Sequence, residues 1–244
     1  MGEAFMVDLE LERGVAVVTI DRPRARNAIA PATMDQLDEA LDAAEGAGAL
    51  VVRGAGDRAF VSGGDLKELA ALRTEEQATA MALRMRGVCD RIAAFPAPVI
   101  AALNGHALGG GAEVAVAADI RVAAADITIG FTQSTLAIMP AWGGAERLAA
   151  LVGRGRALLL AGAGTVLGAA EAERLGLVDR VLPRASFEEG WRSLAAALAT
   201  GAAREIKRVA GGGLTADEAA GAFARLWVAD EHWDAAAKAV NRAR

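Results

Sequence analysis

The sequence predicts an α/β fold with a helical tail, and three observations carry that prediction. Short apolar runs of β type alternate with helical stretches up to about residue 184. Two glycine-rich loops each join a strand-like run to a helix-like run. Everything after Ser186 has helical character. On this reading residues 1–185 form a core that carries the functional loops, and residues 186–244 form a C-terminal helical region.

Residues 7–12 alternate in polarity, and Val15-Ala16-Val17-Val18-Thr19-Ile20 is a β-type run. Gly14 between them predicts a hairpin, which Asp21-Arg22-Pro23 ends. Residues 31–44 have helical spacing, with Met34, Leu37 and Leu41 on one face. Ala49-Leu50-Val51-Val52 reads as a short buried strand and Gly54-Ala55-Gly56-Asp57 as a turn. Ser62-Gly63-Gly64-Asp65 opens the next helix. A long amphipathic helix over about 75–95 follows, ended by Pro96 and Pro98, which lack the N–H a helix needs. Residues 99–103 form a strand that feeds Gly109-Gly110-Gly111 and a helix. Two short strands are expected near 120–122 and 127–129. Pro140-Ala141-Trp142-Gly143-Gly144 introduces a helix over 145–152, and Gly153 and Gly155 separate it from another over 157–161. Residues 177–182 read as a last strand, closed by Pro183. The tail divides into helices of about 187–199, 203–210 and 217–239, broken at Gly211-Gly212-Gly213.

Composition bounds the function. A chain of 244 residues with 54% hydrophobic and 23% charged residues is long and apolar enough for a sizeable core. Net charge is −5 with no basic run, which argues against nucleic acid as the main partner, because phosphate binding needs clustered Lys and Arg. The single cysteine, Cys89, allows no intrachain disulfide and fits a reducing compartment. Met1-Gly2-Glu3-Ala4-Phe5 has neither a basic nor an apolar region of signal-peptide type, and no apolar stretch of membrane-spanning length escapes charge. A cytoplasmic location is therefore expected. Tyrosine is absent, which excludes a Tyr acid, and with two histidines a His-rich metal site is close to excluded.

The stretch Asn104-Gly105-His106-Ala107-Leu108-Gly109-Gly110-Gly111-Ala112-Glu113 concentrates the chemistry. Consecutive glycines let the backbone come close to a ligand, and a helix beginning there points unpaired N–H groups at it. Glu113, three residues after Gly110, lies one turn into that helix, so a donor for negative charge and a carboxylate base stand side by side. The Gly63-Gly64 loop has the same character, and the two together can aim two N–H groups at one oxygen. Neither is a P-loop, since no Gly-Lys-Ser/Thr follows. Residues 162–168 miss the dinucleotide fingerprint by one residue and follow no clear strand. Asp65 reads as a helix cap, Asp119 as a cap or turn residue, and His106 as a packing or hydrogen-bonding residue. His232 beside Trp233 reads as surface or interface, and Cys89 as inert core. Ser62 reads as loop scaffold, because Phe60 stands where a nucleophile elbow needs its first glycine.

These motifs resemble the crotonase superfamily, the enoyl-CoA hydratase/isomerase family, over nearly the whole chain. The resemblance runs from Val17-Val18-Thr19-Ile20-Asp21-Arg22-Pro23 and Asn27-Ala28 through Ala59-Phe60-Val61-Ser62-Gly63-Gly64-Asp65-Leu66-Lys67-Glu68 and on through 98–113. It continues through Ile138-Met139-Pro140-Ala141-Trp142-Gly143-Gly144, Arg147-Leu148 and 169–182. It implies a crotonase-like spiral of ββα units, with a C-terminal helical region that builds trimers or dimers of trimers. It also implies an acyl-CoA thioester substrate, with coenzyme A entering only as part of that substrate and no metal or redox cofactor. The thioester oxygen, as it becomes an enolate, would be held by the N–H groups of Gly64 and Gly110; losing one such donor costs about 2.7–4 kcal/mol of transition-state stabilisation. Gly64, Asp65, Leu66 and Lys67 would line the coenzyme A site, with Arg24, Arg26 and Ala28 towards the nucleotide end.

Hydratases of this family carry two glutamates around one water. Glu113 matches the first, but Gln133 stands seven residues before Pro140, where the second is expected. An amide orients a water or substrate but exchanges no proton at neutral pH, and losing a general acid costs about 10²–10⁴ in rate. The expected activity is thus an acyl-CoA lyase of hydratase type, with Glu113 serving both proton transfers and Gln133 positioning water. The stretches around Glu113 and 138–148 are also similar to ethylmalonyl-CoA decarboxylases, which makes decarboxylation of a malonyl-type CoA ester the alternative reading. A non-catalytic acyl-CoA-binding protein is a third.

Overall fold

The chain builds its sheets from strand pairs that divide between two layers. The computed structural model describes residues 5–242, so residues 1–4, which bear on the signal-peptide expectation, lie outside the described residues. β1 (Val7–Glu12) and β2 (Val15–Ile20) form the expected antiparallel hairpin, turning at Gly14. α1 (Pro31–Ala43) follows and buries Met34, Leu37 and Leu41 on the predicted face. Then come β3 (Ala49–Gly54), β4 (Ala59–Val61), the short α2 (Leu66–Leu69) and the long α3 (Glu75–Ala94). A second pair, β5 (Val99–Leu103) and β6 (His106–Leu108), leads into α4 (Gly110–Ala115). A third, β7 (Ile120–Ala124) and β8 (Thr128–Gly130), leads into a 3₁₀ turn at Thr132–Leu136.

In the pairs β3–β4, β5–β6 and β7–β8 the first strand joins a six-stranded sheet of order β1-β2-β3-β5-β7-β10, and the second joins a four-stranded sheet of order β4-β6-β8-β9. β9 (Val166–Gly168) and β10 (Arg180–Leu182) enter these sheets later, after α5 (Gly144–Val152) and α6 (Arg154–Gly162), with α7 (Ala169–Arg174) between them. Neighbouring units pair in parallel: β3 with β5, β5 with β7, β4 with β6 and β6 with β8. This is the repeating ββα arrangement. β5 is buried along its whole length, as a parallel strand covered on both faces should be. α8 (Phe187–Leu198) packs across β3, β5 and β7, with Trp191 fully buried.

Three expectations need correction. Three strands, β4, β6 and β9, were not expected; each has three residues, too few to display alternation. Residues 162–168, discounted as a dinucleotide fingerprint, turn into β9, which runs antiparallel to β8. The strand expected over 177–182 is extended only at Arg180–Leu182, because Leu177 and Val178 stay in the turn after α7. Beyond α9 (Gly201–Ala210), the single helix expected over 217–239 is two, α10 (Ala216–Trp227) and α11 (Asp230–Arg242). The break lets Trp227 pack against His232 and Trp233, with ring centroids 4.7 and 5.4 Å apart.

Two buried asparagines position the site. Asn27 accepts from the Arg22 N–H at 3.0 Å and donates to the carbonyls of Ala55 (3.0 Å) and Ala59 (2.8 Å). Asn104 accepts from the Gly54 N–H at 2.9 Å and donates to the Gly56 carbonyl at 2.7 Å. Both clamp the turn that leads into β4, and β4 carries the Gly63-Gly64 loop.

Candidate active site

The Gly63-Gly64 loop is held by a short parallel bridge to Ile29: the Ile29 N–H donates to the Gly63 carbonyl and the Asp65 N–H to the Ile29 carbonyl, both at 2.8 Å. Asp65 then caps α2, its carboxylate accepting from the N–H groups of Lys67 and Glu68, and Arg22 pairs with it at 3.0 Å. Burial pushes the Asp65 carboxyl up, but Arg22 and the two backbone donors outweigh it and hold it below its ordinary value. The second loop lies alongside the first. A Cβ added to Gly63 would stand 3.4 Å from the Gly110 nitrogen. Among the described residues the N–H groups of Gly64 and Gly110 donate to no other group.

Each glycine of the triplet answers a different constraint. Gly109 has φ +56° and ψ −119°, a backbone region that side chains do not tolerate. A Cβ on Gly110 would run into the six-membered ring of Trp142, with Cε3 at 2.8 Å. A Cβ on Gly111 would run into the Val61 carbonyl group, its carbon at 2.6 Å. The sequence argument gave the glycines to a ligand's close approach; at Gly110 and Gly111 it is the protein's own indole and backbone that come close.

Glu113 is buried on α4. Its Oε2 accepts from the Trp142 N–H at 2.7 Å and the Gly144 N–H at 3.0 Å, and its Oε1 accepts from the Gln133 amide at 2.8 Å. Burial pushes the carboxyl above its ordinary value; the three donors oppose that shift without cancelling it. The other end of the Gln133 amide, Oε1, is buried with no partner among the described residues. The site therefore holds a carboxylate that takes up a proton more readily than usual. Beside it are an unused acceptor and two unused N–H donors.

Gly64, Gly110, Glu113 and Gln133 thus belong to one constellation. Asp65, Leu66 and Lys67 start α2 at its edge, Leu66 and Lys67 exposed. The 24–28 segment joins them through two contacts: the Ser62 N–H donates to the Arg26 carbonyl at 3.2 Å, and Arg22 bridges the Ala28 carbonyl to Asp65 and Glu68. Arg24 and Arg26 are exposed and Ala28 is buried. Arg24, Arg26 and Lys67 take no ion pair among the described residues. His106 Nδ1 accepts from the Thr128 N–H at 3.0 Å, and Asp119 from the Val99 N–H at 2.7 Å. Cys89 is fully buried, its thiol pushed up to about 12 by desolvation, and is inert. Sequence reasoning missed Trp142 as a site residue, having read it only as part of the glycine motif that opens α5. It also passed over Arg22, Asn27 and Asn104 as positioning residues.

The chain belongs to the enoyl-CoA hydratase/isomerase family, whose model matches residues 10–212. It is 39% identical over 176 residues to a probable enoyl-CoA hydratase of Bacillus subtilis, covering 71% of this chain and 67% of that one. It is 40% identical over 179 residues to the short-chain-enoyl-CoA hydratase of Clostridium acetobutylicum, covering 72% and 68%. Its fold matches the crystal structure of an enoyl-CoA hydratase from Thermoplasma volcanium with a TM-score of 0.87 and 32% identity, over 97% of this chain and 98% of that one. These relatives carry the hydratase name, and the likeness to decarboxylases expected from the sequence finds no support among them. No helix among the described residues is long and apolar enough to cross a membrane.

Proposed function

We propose that the protein hydrates a 2-enoyl-CoA thioester, with Glu113 handling both proton transfers. The observation that carries this reading is the buried Glu113–Gln133 pair, with Gln133 Oε1 left as an unused acceptor, beside the unused N–H groups of Gly64 and Gly110. A water donating one hydrogen to Gln133 Oε1 and the other to Glu113 meets both demands. Glu113 takes a proton from that water, and the oxygen bonds to C3 of the substrate. The C2–C3 π pair moves to C2, and the charge is held as an enolate on the thioester oxygen by the two N–H groups. Glu113 then returns the proton to C2. One water is added and one double bond lost, with only protons moved, so the step needs no metal or redox cofactor. Arg24, Arg26 and Lys67, which take no ion pair among the described residues, would meet the coenzyme A phosphates.

The test is incubation of the purified protein with crotonyl-CoA, following loss of the conjugated enoyl absorbance. Hydration supports the reading. Carbon dioxide release from ethylmalonyl-CoA without hydration replaces it with decarboxylation, and ester binding without either reaction makes the chain a binding protein. A homotrimer or dimer of trimers is part of the same proposal. Phe223, Trp227, Val228 and Trp233 are exposed apolar residues of the C-terminal helices and suit burial between copies. A cytoplasmic location suits the single free thiol.

A further inference from the structure

Trp142 is a large side chain at the site with no part in the proton transfers. Trp142 is 6% exposed, and its six-membered ring faces both glycines whose amides are unused among the described residues. A Cβ on Gly110 would collide with it, and a Cβ on Gly64, which meets Leu69 Cδ1 first at 2.8 Å, would lie 3.8 Å from Cζ2 and 3.9 Å from Cη2. The ring is also fixed from behind. The Trp142 N–H donates to Glu113 Oε2 at 2.7 Å, and its carbonyl accepts from Arg147 at 3.1 Å. Arg147 is in turn paired with Asp90 on α3. These bonds fix the Trp142 main chain, and the burial of the side chain against Gly110 holds the ring in place.

We infer that Trp142 is a specificity-determining wall: it selects acyl groups that are unbranched at C2, the carbon next to the thioester carbonyl. This rests on the reading of Gly64 and Gly110 as the donors to the thioester oxygen. In that reading C1 lies at the two amides and C3 lies at Glu113. Trp142 runs from its N–H on Glu113 to its ring tip between the glycines, so it flanks the line from C3 to C1. C2 sits in the middle of that line, against the indole. A flat, unsubstituted enoyl thioester lies along the ring, whereas a methyl at C2 needs space the ring occupies. One methyl group misfitted in a rigid pocket changes affinity by about 10–200-fold.

The experiment measures calorimetric binding of two saturated esters to the full chain: butyryl-CoA, unbranched at C2, and isobutyryl-CoA, branched there. Both share the coenzyme A moiety, so a general loss of binding cancels in their ratio. The expected result is a preference for butyryl-CoA of about 10-fold or more in the wild type, falling below about threefold in Trp142→Ala. If Trp142→Ala does not fold, Trp142→Phe, with a smaller ring, carries the test, and a reduced ratio is expected. Equal binding of both esters by the wild type overturns the inference. So does a ratio unmoved by the substitution. Wild-type binding of neither ester overturns the thioester site itself. A shifted ratio in a protein that does not hydrate crotonyl-CoA upholds the wall and overturns only the hydratase reading.

Discussion

Replacing Glu113 with glutamine removes the one proton acceptor of the constellation while keeping its shape. The carboxylate now accepts three hydrogen bonds, two from backbone and one from Gln133. A glutamine at 113 can keep its oxygen on the Trp142 and Gly144 N–H groups and turn its NH₂ toward Gln133. Rotating the Gln133 amide by half a turn then presents the oxygen that has no partner today. Three bonds are kept, and a buried charge is removed. Because burial raises the Glu113 carboxyl against those donors, the neutral form is already favoured relative to a free side chain. Glu113→Gln should therefore leave stability equal or higher, and for a chain of this size each 1 kcal/mol gained adds about 2–4 °C to Tm. Turnover of crotonyl-CoA should fall by about 10²–10⁴, towards the upper end because one group serves both transfers. The assay pairs the enoyl absorbance rate with a thermal melt of the same preparation. Turnover within tenfold of wild type refutes Glu113 as the base. A Tm drop of several degrees with bonds preserved refutes the claim that burial outweighs the three donors.

Three further outcomes follow from the same geometry. The Tm difference between wild type and Glu113→Gln should change with pH: protonated Glu113 costs far less to bury than the carboxylate, so wild type is relatively most stable below the ordinary carboxyl range and loses that advantage as pH rises through the raised value. Melts at a series of pH values check the sign, and a wild type that gains on Glu113→Gln with rising pH contradicts it. Gln133→Glu places a second carboxyl within hydrogen-bond reach of Glu113, where the two share one proton and separate the acid from the base. Crotonyl-CoA hydration should rise by about 10-fold or more, and no gain would show that the amide is not what limits proton transfer. Gly110→Ala and Gly111→Ala should each cost about 1–3 kcal/mol by overpacking, but for different reasons. The Gly110 obstacle is the Trp142 ring, so Trp142→Ala should relieve it, with a coupling of about 0.5–3 kcal/mol in a double-mutant cycle. The Gly111 obstacle is the Val61 backbone, so that pair should add without coupling; equal coupling in both cycles would contradict the assignment.

Long elements were legible because several periods of the pattern fit within them. α1 and α3 were read to within a residue or so at each end, and the hairpin of β1 and β2 follows from alternation around Gly14. All four strands of the smaller sheet have three residues, too few to alternate; only β8 was anticipated there, from the β-branched run Ile127-Thr128-Ile129. The division of α10 from α11 left no glycine or proline to read, and Trp227 packs across it against His232 and Trp233. At the site, Gly64, Gly110 and Glu113 were visible as strand–glycine–helix elements. Gln133 was visible only against the family's motifs, because a lone glutamine carries no chemical signature.

What the sequence by itself determined is the alternation of strand and helix, the two glycine loops and the position of one carboxylate a turn beyond one of them. These are local properties, written in residues a few positions apart. Only the tertiary structure decided why the three glycines are needed, since one answers its own backbone angle, one an indole and one a carbonyl from distant parts of the chain. It also decided how Glu113 titrates. The groups that hold its carboxylate lie 20, 29 and 31 residues further along the chain, and the burial that raises its pKa exists only once those segments have packed around it.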